Sequence, residues 1–185
     1  MAMHRRAPYG RRVPEKTDDV RVLARAVLAL DVPSPRPVIV GISGFGGAGK
    51  STLADAVARE LPGCLVVAGD EFLLERPPTR RSDNWDVVDR DRLRAQVLKE
   101  TGVSHLVVEG LGLFVPELVG LFDLRVWLEV DLETATAQGM WRDEHVYDNP
   151  QTEFWLDVWK PNDADFFRRH RPDLAADIVF TPPDR

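Results

Sequence analysis

Gly44-Phe45-Gly46-Gly47-Ala48-Gly49-Lys50-Ser51 fits the spacing G-x-x-x-x-G-K-[ST] at every fixed position, and Thr52 follows it. Glycines at such spacing let backbone N–H groups turn inward around phosphate oxygens where a Cβ would clash, and a helix opening at Lys50 adds its positive dipole end. Lys50 is then expected to reach the β and γ phosphates as a point charge, and the Ser51 hydroxyl to ligate Mg²⁺. A glycine-rich turn that merely joins strand to helix needs neither the lysine nor the hydroxyl. The expected ligand is a nucleotide with its magnesium.

Carboxylates at two later points suit the chemistry of a terminal phosphate. Asp70, in Gly69-Asp70-Glu71-Phe72, follows the apolar run Cys64-Leu65-Val66-Val67-Ala68 and is placed to accept a proton from an attacking hydroxyl. Glu109 follows Leu106-Val107-Val108, where a second acid would sit by the magnesium shell. Either acid taken alone is equally readable as the cap of a following helix. Arg76 to Asp86 is polar and rich in turn formers, and is read either as an acceptor pocket or as a solvated loop. In the first case Trp85 stacks on a ring while Asp86 with Arg80 or Arg81 binds hydroxyls; in the second the tryptophan tucks against the domain. Trp127, Trp155 and Trp159 read as packing residues. The scattered His4, His105, His145 and His170 give no metal-ligand spacing.

These residues need elements to hold them. Short apolar runs at Val38–Ile42, Cys64–Ala68, His105–Val108, Leu124–Val130 and Ile178–Phe180 have the character of parallel strands buried on both faces. Helical periodicity fills the intervals at Ser51–Leu61, Asp89–Glu100 and Leu132–Glu144, and an earlier amphipathic helix is expected over 17–31 with Thr17 as its cap. Strand and helix alternate, so the fold class is α/β with a mainly parallel sheet of five strands, and ligands belong at the carboxyl ends of those strands. Arg5, Arg6, Arg11 and Arg12 crowd a proline- and glycine-bearing stretch, and residues 1–16 are expected to form a flexible basic tail.

A chain of 185 residues suits one domain, here 17–185, and its 44% hydrophobic and 29% charged content excludes a collagen-like or disordered protein. No apolar run approaches the roughly 20 residues that span a bilayer. The single Cys64 excludes an internal disulfide, and a cytoplasmic location is expected. A net charge of −6 disfavours a surface that coats nucleic acid, so an anionic ligand must be held locally.

Taken together, GFGGAGKS at 44–51, GDEF at 69–72, NWD at 84–86, VVEG at 107–110, LFDLRVWLEV at 121–130, WRDE at 141–144 and AADIVF at 175–180 resemble the uridine kinase and phosphoribulokinase group of P-loop kinases, which includes nicotinamide riboside kinases and bacterial-type pantothenate kinases. The resemblance implies a three-layer P-loop NTPase sandwich, helices on both faces of its sheet and a short lid around 138–150. It implies Asp70 as catalytic base, Glu109 as the metal-associated acid and Arg142 as the lid arginine that meets the transferring phosphoryl group. Two departures stand out: Gln138 holds the place where many relatives carry a second lid arginine, and the segment after NWD is shorter than in typical uridine kinases. The implied activity is ATP- and Mg²⁺-dependent transfer of the γ phosphate to a hydroxyl of a nucleoside, ribosyl compound or small polyol, by a monomer or homodimer. The alternatives are a regulatory NTPase, disfavoured because Lys160-Pro161-Asn162-Asp163 does not match the guanine signature N-K-x-D, and a non-catalytic nucleotide binder.

Overall fold

The computed structural model of the chain describes residues 13–32 and 35–183. Six strands, β1 (Glu15–Thr17), β2 (Val38–Ser43), β3 (Cys64–Ala68), β4 (His105–Gly110), β5 (Leu124–Leu128) and β6 (Ile178–Phe180), form one sheet in the order β1-β6-β5-β2-β4-β3, every neighbouring pair parallel. The central strands are apolar on both faces, and Ile39, Val40, Ile42, Leu106, Val107 and Val108 are all buried. Helices α1 (Val20–Leu28), α2 (Lys50–Glu60), α3 (Arg90–Lys99) and α4 (Leu132–His145) lie between the strands in chain order. After α4 come a single helical turn α5 (Thr152–Phe154), a π-helical stretch Trp155–Trp159, α6 (Lys160–His170) and the short α7 (Pro172–Ala175).

The sheet has one strand more than the expected five. Glu15, Lys16 and Thr17 pair with Ile178, Val179 and Phe180 at the sheet's edge, so the segment expected to end a loose tail at residue 16 is ordered strand there. The strand is polar, three residues long and largely exposed, which leaves no apolar alternation to read. The arginines at 5, 6, 11 and 12 lie outside the described residues. The first helix is also shorter than 17–31: Asp19, not Thr17, is its N-cap and accepts from the Arg21 N–H at 2.8 Å, while Thr17 Oγ1 accepts from the Asp19 N–H at 3.1 Å.

β2 lies between β4 and β5, and the connections leave it toward opposite sides of the sheet. The crevice beyond its carboxyl end is therefore a topological switch point, and residues 44–49 occupy it.

Candidate functional site

The chain leaves β2 at Ser43, turns through 44–49 and enters α2 at Lys50, whose N-cap Gly49 has φ of 94° and no capping side chain. The first-turn N–H groups of α2 thus open onto the loop. Gly47 has φ of +79°, and a Cβ there would lie 2.1 Å from the Ala135 carbonyl oxygen and 2.8 Å from the Gly139 nitrogen. Only glycine serves at this position, because α4 packs its backbone against the loop. Lys50 is buried, with Nζ donating to the Phe45 carbonyl within the loop at 2.9 Å.

Ser51 Oγ donates to Glu109 Oε1 at 3.1 Å, which ties the start of α2 to the end of β4. Burial pushes the Glu109 carboxyl above its ordinary range; the Lys50 charge opposes that shift and the Asp70 charge adds to it. Asp70 itself stands exposed on the 3₁₀ turn Gly69–Phe72 that follows β3. Gly69 makes this approach sterically workable, since a Cβ there would sit 2.7 Å from the Glu109 carbonyl oxygen. Sequence-expected residues from three strand ends, Lys50 and Ser51 beyond β2, Asp70 beyond β3 and Glu109 on β4, are thereby assembled around one crevice. A hydroxyl beside a carboxylate is a donor set suited to magnesium, which takes few protein ligands and completes its shell with water and phosphate oxygens.

A cleft of about 480 Å³ opens at the Gly49 end of the loop. Ala48, Gly49 and Thr52 line one wall, Val130, Asp131, Thr134 and Gln138 a second, and Thr181 and Pro182 close it. Its mixture of apolar and polar groups, with the carboxylates of Glu129 and Asp131 among them, suits a flat heterocycle that carries hydrogen-bond donors.

α4 runs as the periodicity predicts, but its two marked residues do not act together. Gln138 lines the cleft, whereas Arg142 turns to its own neighbour, donating from Nε and Nη2 to Asp143 Oδ1 at 3.1 and 2.9 Å, with its guanidinium 5.3 Å from the Tyr147 ring centroid.

The loop after Asp70 holds its residues differently from the acceptor-pocket reading. Trp85 is fully buried and donates through Nε1 to Asp163 Oδ1 at 3.1 Å, so its ring is not available to stack on an acceptor. Arg81 pairs with Asp165 at 2.9 Å, Arg80 lies 3.8 Å from Glu75, and both side chains remain more than half exposed. Asp86 accepts from Ser82 at 2.8 Å and from Asn84 at 3.1 Å, and those bonds hold its carboxyl below the usual range. Arg80, Arg81 and Asp86 are thus exposed groups engaged with neighbours of their own.

Two buried acids and an amide went unread in the sequence. Asp163 joins Trp85 to the Gly46 N–H, Asp143 joins Arg142 to Trp155, and Asn162 accepts from the Ser82 N–H at 2.7 Å while donating to the Arg80 carbonyl at 3.1 Å. The available signal was helical spacing: Asn162 and Asp163 share a face with the buried Phe166, so polar groups there require partners.

No family model matches the chain, and no curated protein matches it. Solved structures do. A possible uridine kinase from Bacillus stearothermophilus superposes with a TM-score of 0.64 at 17% identity, covering 87% of this chain and 96% of the other. A candidate fructose transport system kinase from Silicibacter sp. TM1040 superposes with a TM-score of 0.61 at 20% identity, covering 89% and 99%. The class is therefore defined at the level of fold: a parallel sheet flanked by helices, shared with both of these structures over most of the length of each chain.

Proposed function

We propose that the chain is a small-molecule kinase that transfers the γ phosphate of ATP to an acceptor hydroxyl. The observation that supports it best is the convergence of Lys50, Ser51, Asp70 and Glu109 on the switch-point crevice, with a cleft of base-binding size at one end of the same loop. Ser51 and Glu109 would hold a magnesium ion, which would supply charge neutralisation to the nucleotide phosphates. Gly44 to Thr52 cradle the phosphates and Lys50 follows the charge onto the γ phosphate. Asp70 takes the acceptor's hydroxyl proton as that oxygen bonds to phosphorus, while the bond from γ phosphorus to the bridging oxygen breaks and ADP leaves. The exposed Asp70 suits a base that must meet a substrate from solution.

The acceptor approaches across the segment 76–86, whose exposed Arg80, Arg81 and Asp86 offer charged hydrogen bonds to a polar, hydroxyl-bearing molecule. The test is ADP release against a panel of nucleosides, ribosyl compounds, sugars and polyols. Acceptor-dependent release is expected; release that ignores the acceptor points to an NTPase, and ATP binding without release to an inert binder.

A further inference from the structure

Asp163 comes from α6, far along the chain from the phosphate loop, yet its Oδ2 accepts the Gly46 N–H at 2.6 Å and its Oδ1 accepts from Trp85 Nε1 at 3.1 Å. Its carboxyl is buried, 3% exposed. An anionic oxygen on an inward N–H of a glycine-rich loop is the contact that a phosphate oxygen makes in such loops. The cleft lies at the opposite end, against Ala48, Gly49 and Thr52, so a nucleotide seated with its base there runs its phosphates along the loop toward Gly46. The terminal phosphoryl group arrives where Asp163 now sits.

We propose that Asp163 sets the loop's selectivity between nucleoside triphosphates and diphosphates, its carboxylate holding the Gly46 N–H that the third phosphoryl group needs, so that ATP binds only by displacing it whereas ADP binds beside it. This rests on reading the loop as a nucleotide site, and it goes beyond that reading by giving a role to a residue outside the loop and its metal shell.

The electrostatics favour such a contest. Lys50 attracts both the carboxylate and the incoming phosphate, and Asp70 repels both; the loop before α3 contributes the uncharged Trp85 indole, and α4 contributes Asp143, already engaged by Arg142 and Trp155. Burial pushes the Asp163 carboxyl up to about 7, against the opposing pull of the Gly46 N–H and the Lys50 charge. Its hold is accordingly stronger in alkaline than in acid solution. Displacing it disturbs a chain of indoles, since Trp85 and Trp159 have ring centroids 5.4 Å apart and Trp159 stacks on Trp155 at 5.2 Å.

The experiment is calorimetric titration of the full chain with Mg–ATP and Mg–ADP at pH 8, for wild type, Asp163→Asn and Trp85→Phe, with tryptophan fluorescence followed in parallel. Asp163→Asn keeps the shape and removes the charge, and should raise ATP affinity about tenfold or more while moving ADP affinity less than about threefold. Trp85→Phe strips one hydrogen bond from the carboxylate and should shift ATP affinity the same way by less. In wild type, ATP should change the indole emission and ADP should not. Equal gains for both nucleotides, a loss of ATP affinity in Asp163→Asn, or identical emission changes with ATP and ADP would overturn the proposal. Should Asp163→Asn fail to fold, Trp85→Phe and the wild-type emission decide the question. Failure of folded wild type to bind either nucleotide overturns instead the assignment of the loop.

Discussion

Trp155 donates its indole N–H to Asp143 Oδ2 at 2.8 Å, beneath the point where α4 crosses the glycine-rich loop 44–49. The other oxygen of the same carboxylate holds Arg142, and a Cβ at Gly139 would lie 2.2 Å from the Trp155 ring. One tryptophan thus fixes the height of α4 over the loop and the direction of its arginine. Trp155→Ala should cost about 3–5 kcal/mol through the cavity it leaves, and Trp155→Phe about 1–3 kcal/mol through the unpaired buried oxygen. Urea denaturation measures both, and a Trp155→Ala variant as stable as wild type would show that Trp155 does not hold α4 in place.

Gln138 and Arg142 are four residues apart on α4, yet Gln138 faces the cleft and Arg142 faces Asp143. Arg142 meets a phosphoryl group only by leaving that carboxylate. Arg142→Ala should therefore lower the single-turnover rate about 10²-fold with little loss of ATP affinity, since a charged donor aimed at the transition state is worth that much. Gln138→Ala should weaken ATP binding a few-fold and leave the rate nearly intact. A large rate loss in Gln138→Ala with none in Arg142→Ala would reverse these roles.

Lys50→Ala removes the buried ammonium of the loop and should reduce turnover about 10²-fold or more. Asp70→Asn keeps shape and nucleotide affinity but cannot accept a proton, and should cost roughly 10²–10⁴-fold. Steady-state assays of the folded variants, beside nucleotide titrations, check both. Unimpaired turnover in Lys50→Ala would undo the phosphate-loop reading; lost ATP affinity with retained turnover in Asp70→Asn would move that residue into the nucleotide site.

Asp163 also makes stability depend on pH. Its carboxyl is raised from 3.8 to about 7 in the folded chain, so the native state binds the proton more tightly than the unfolded one. The two states are matched below pH 4. As pH rises from there to about 7 the unfolded carboxyl ionises first and stability is lost, in total on the order of 4 kcal/mol, after which the loss is complete. Asp163→Asn is spared this, so its stability advantage over wild type should be wider at pH 8 than at pH 5 by on the order of 2–3 kcal/mol. Parallel denaturation curves at the two pH values measure it, and a pH-independent gap would count against a buried Asp163 proton.

Local pattern along the chain was enough to locate the central strands, apolar on both faces, and the loop that follows the first of them. Apolar runs such as Val38–Ile42 and Leu106–Val108 have no other stable environment, and the glycine-lysine-serine spacing of 44–51 is a local constraint that neighbours in sequence satisfy alone. Asp70 and Glu109 were legible for the same reason, each standing at the end of a strand that could be read. β1 was not, because a three-residue polar edge strand carries no apolar alternation and is placed by its backbone pairing with β6 and by the distant Lys16–Glu129 ion pair. Tertiary structure decided the rest: that Trp85 is buried against Asp163 instead of open to an acceptor, that Arg142 is held by Asp143, and that an acid from α6 occupies the Gly46 N–H. Each of these depends on a partner many residues away or on the rotation of one helix over another. Periodicity records which face of a helix is buried; which buried donor meets which buried acceptor is settled only when the faces are packed together.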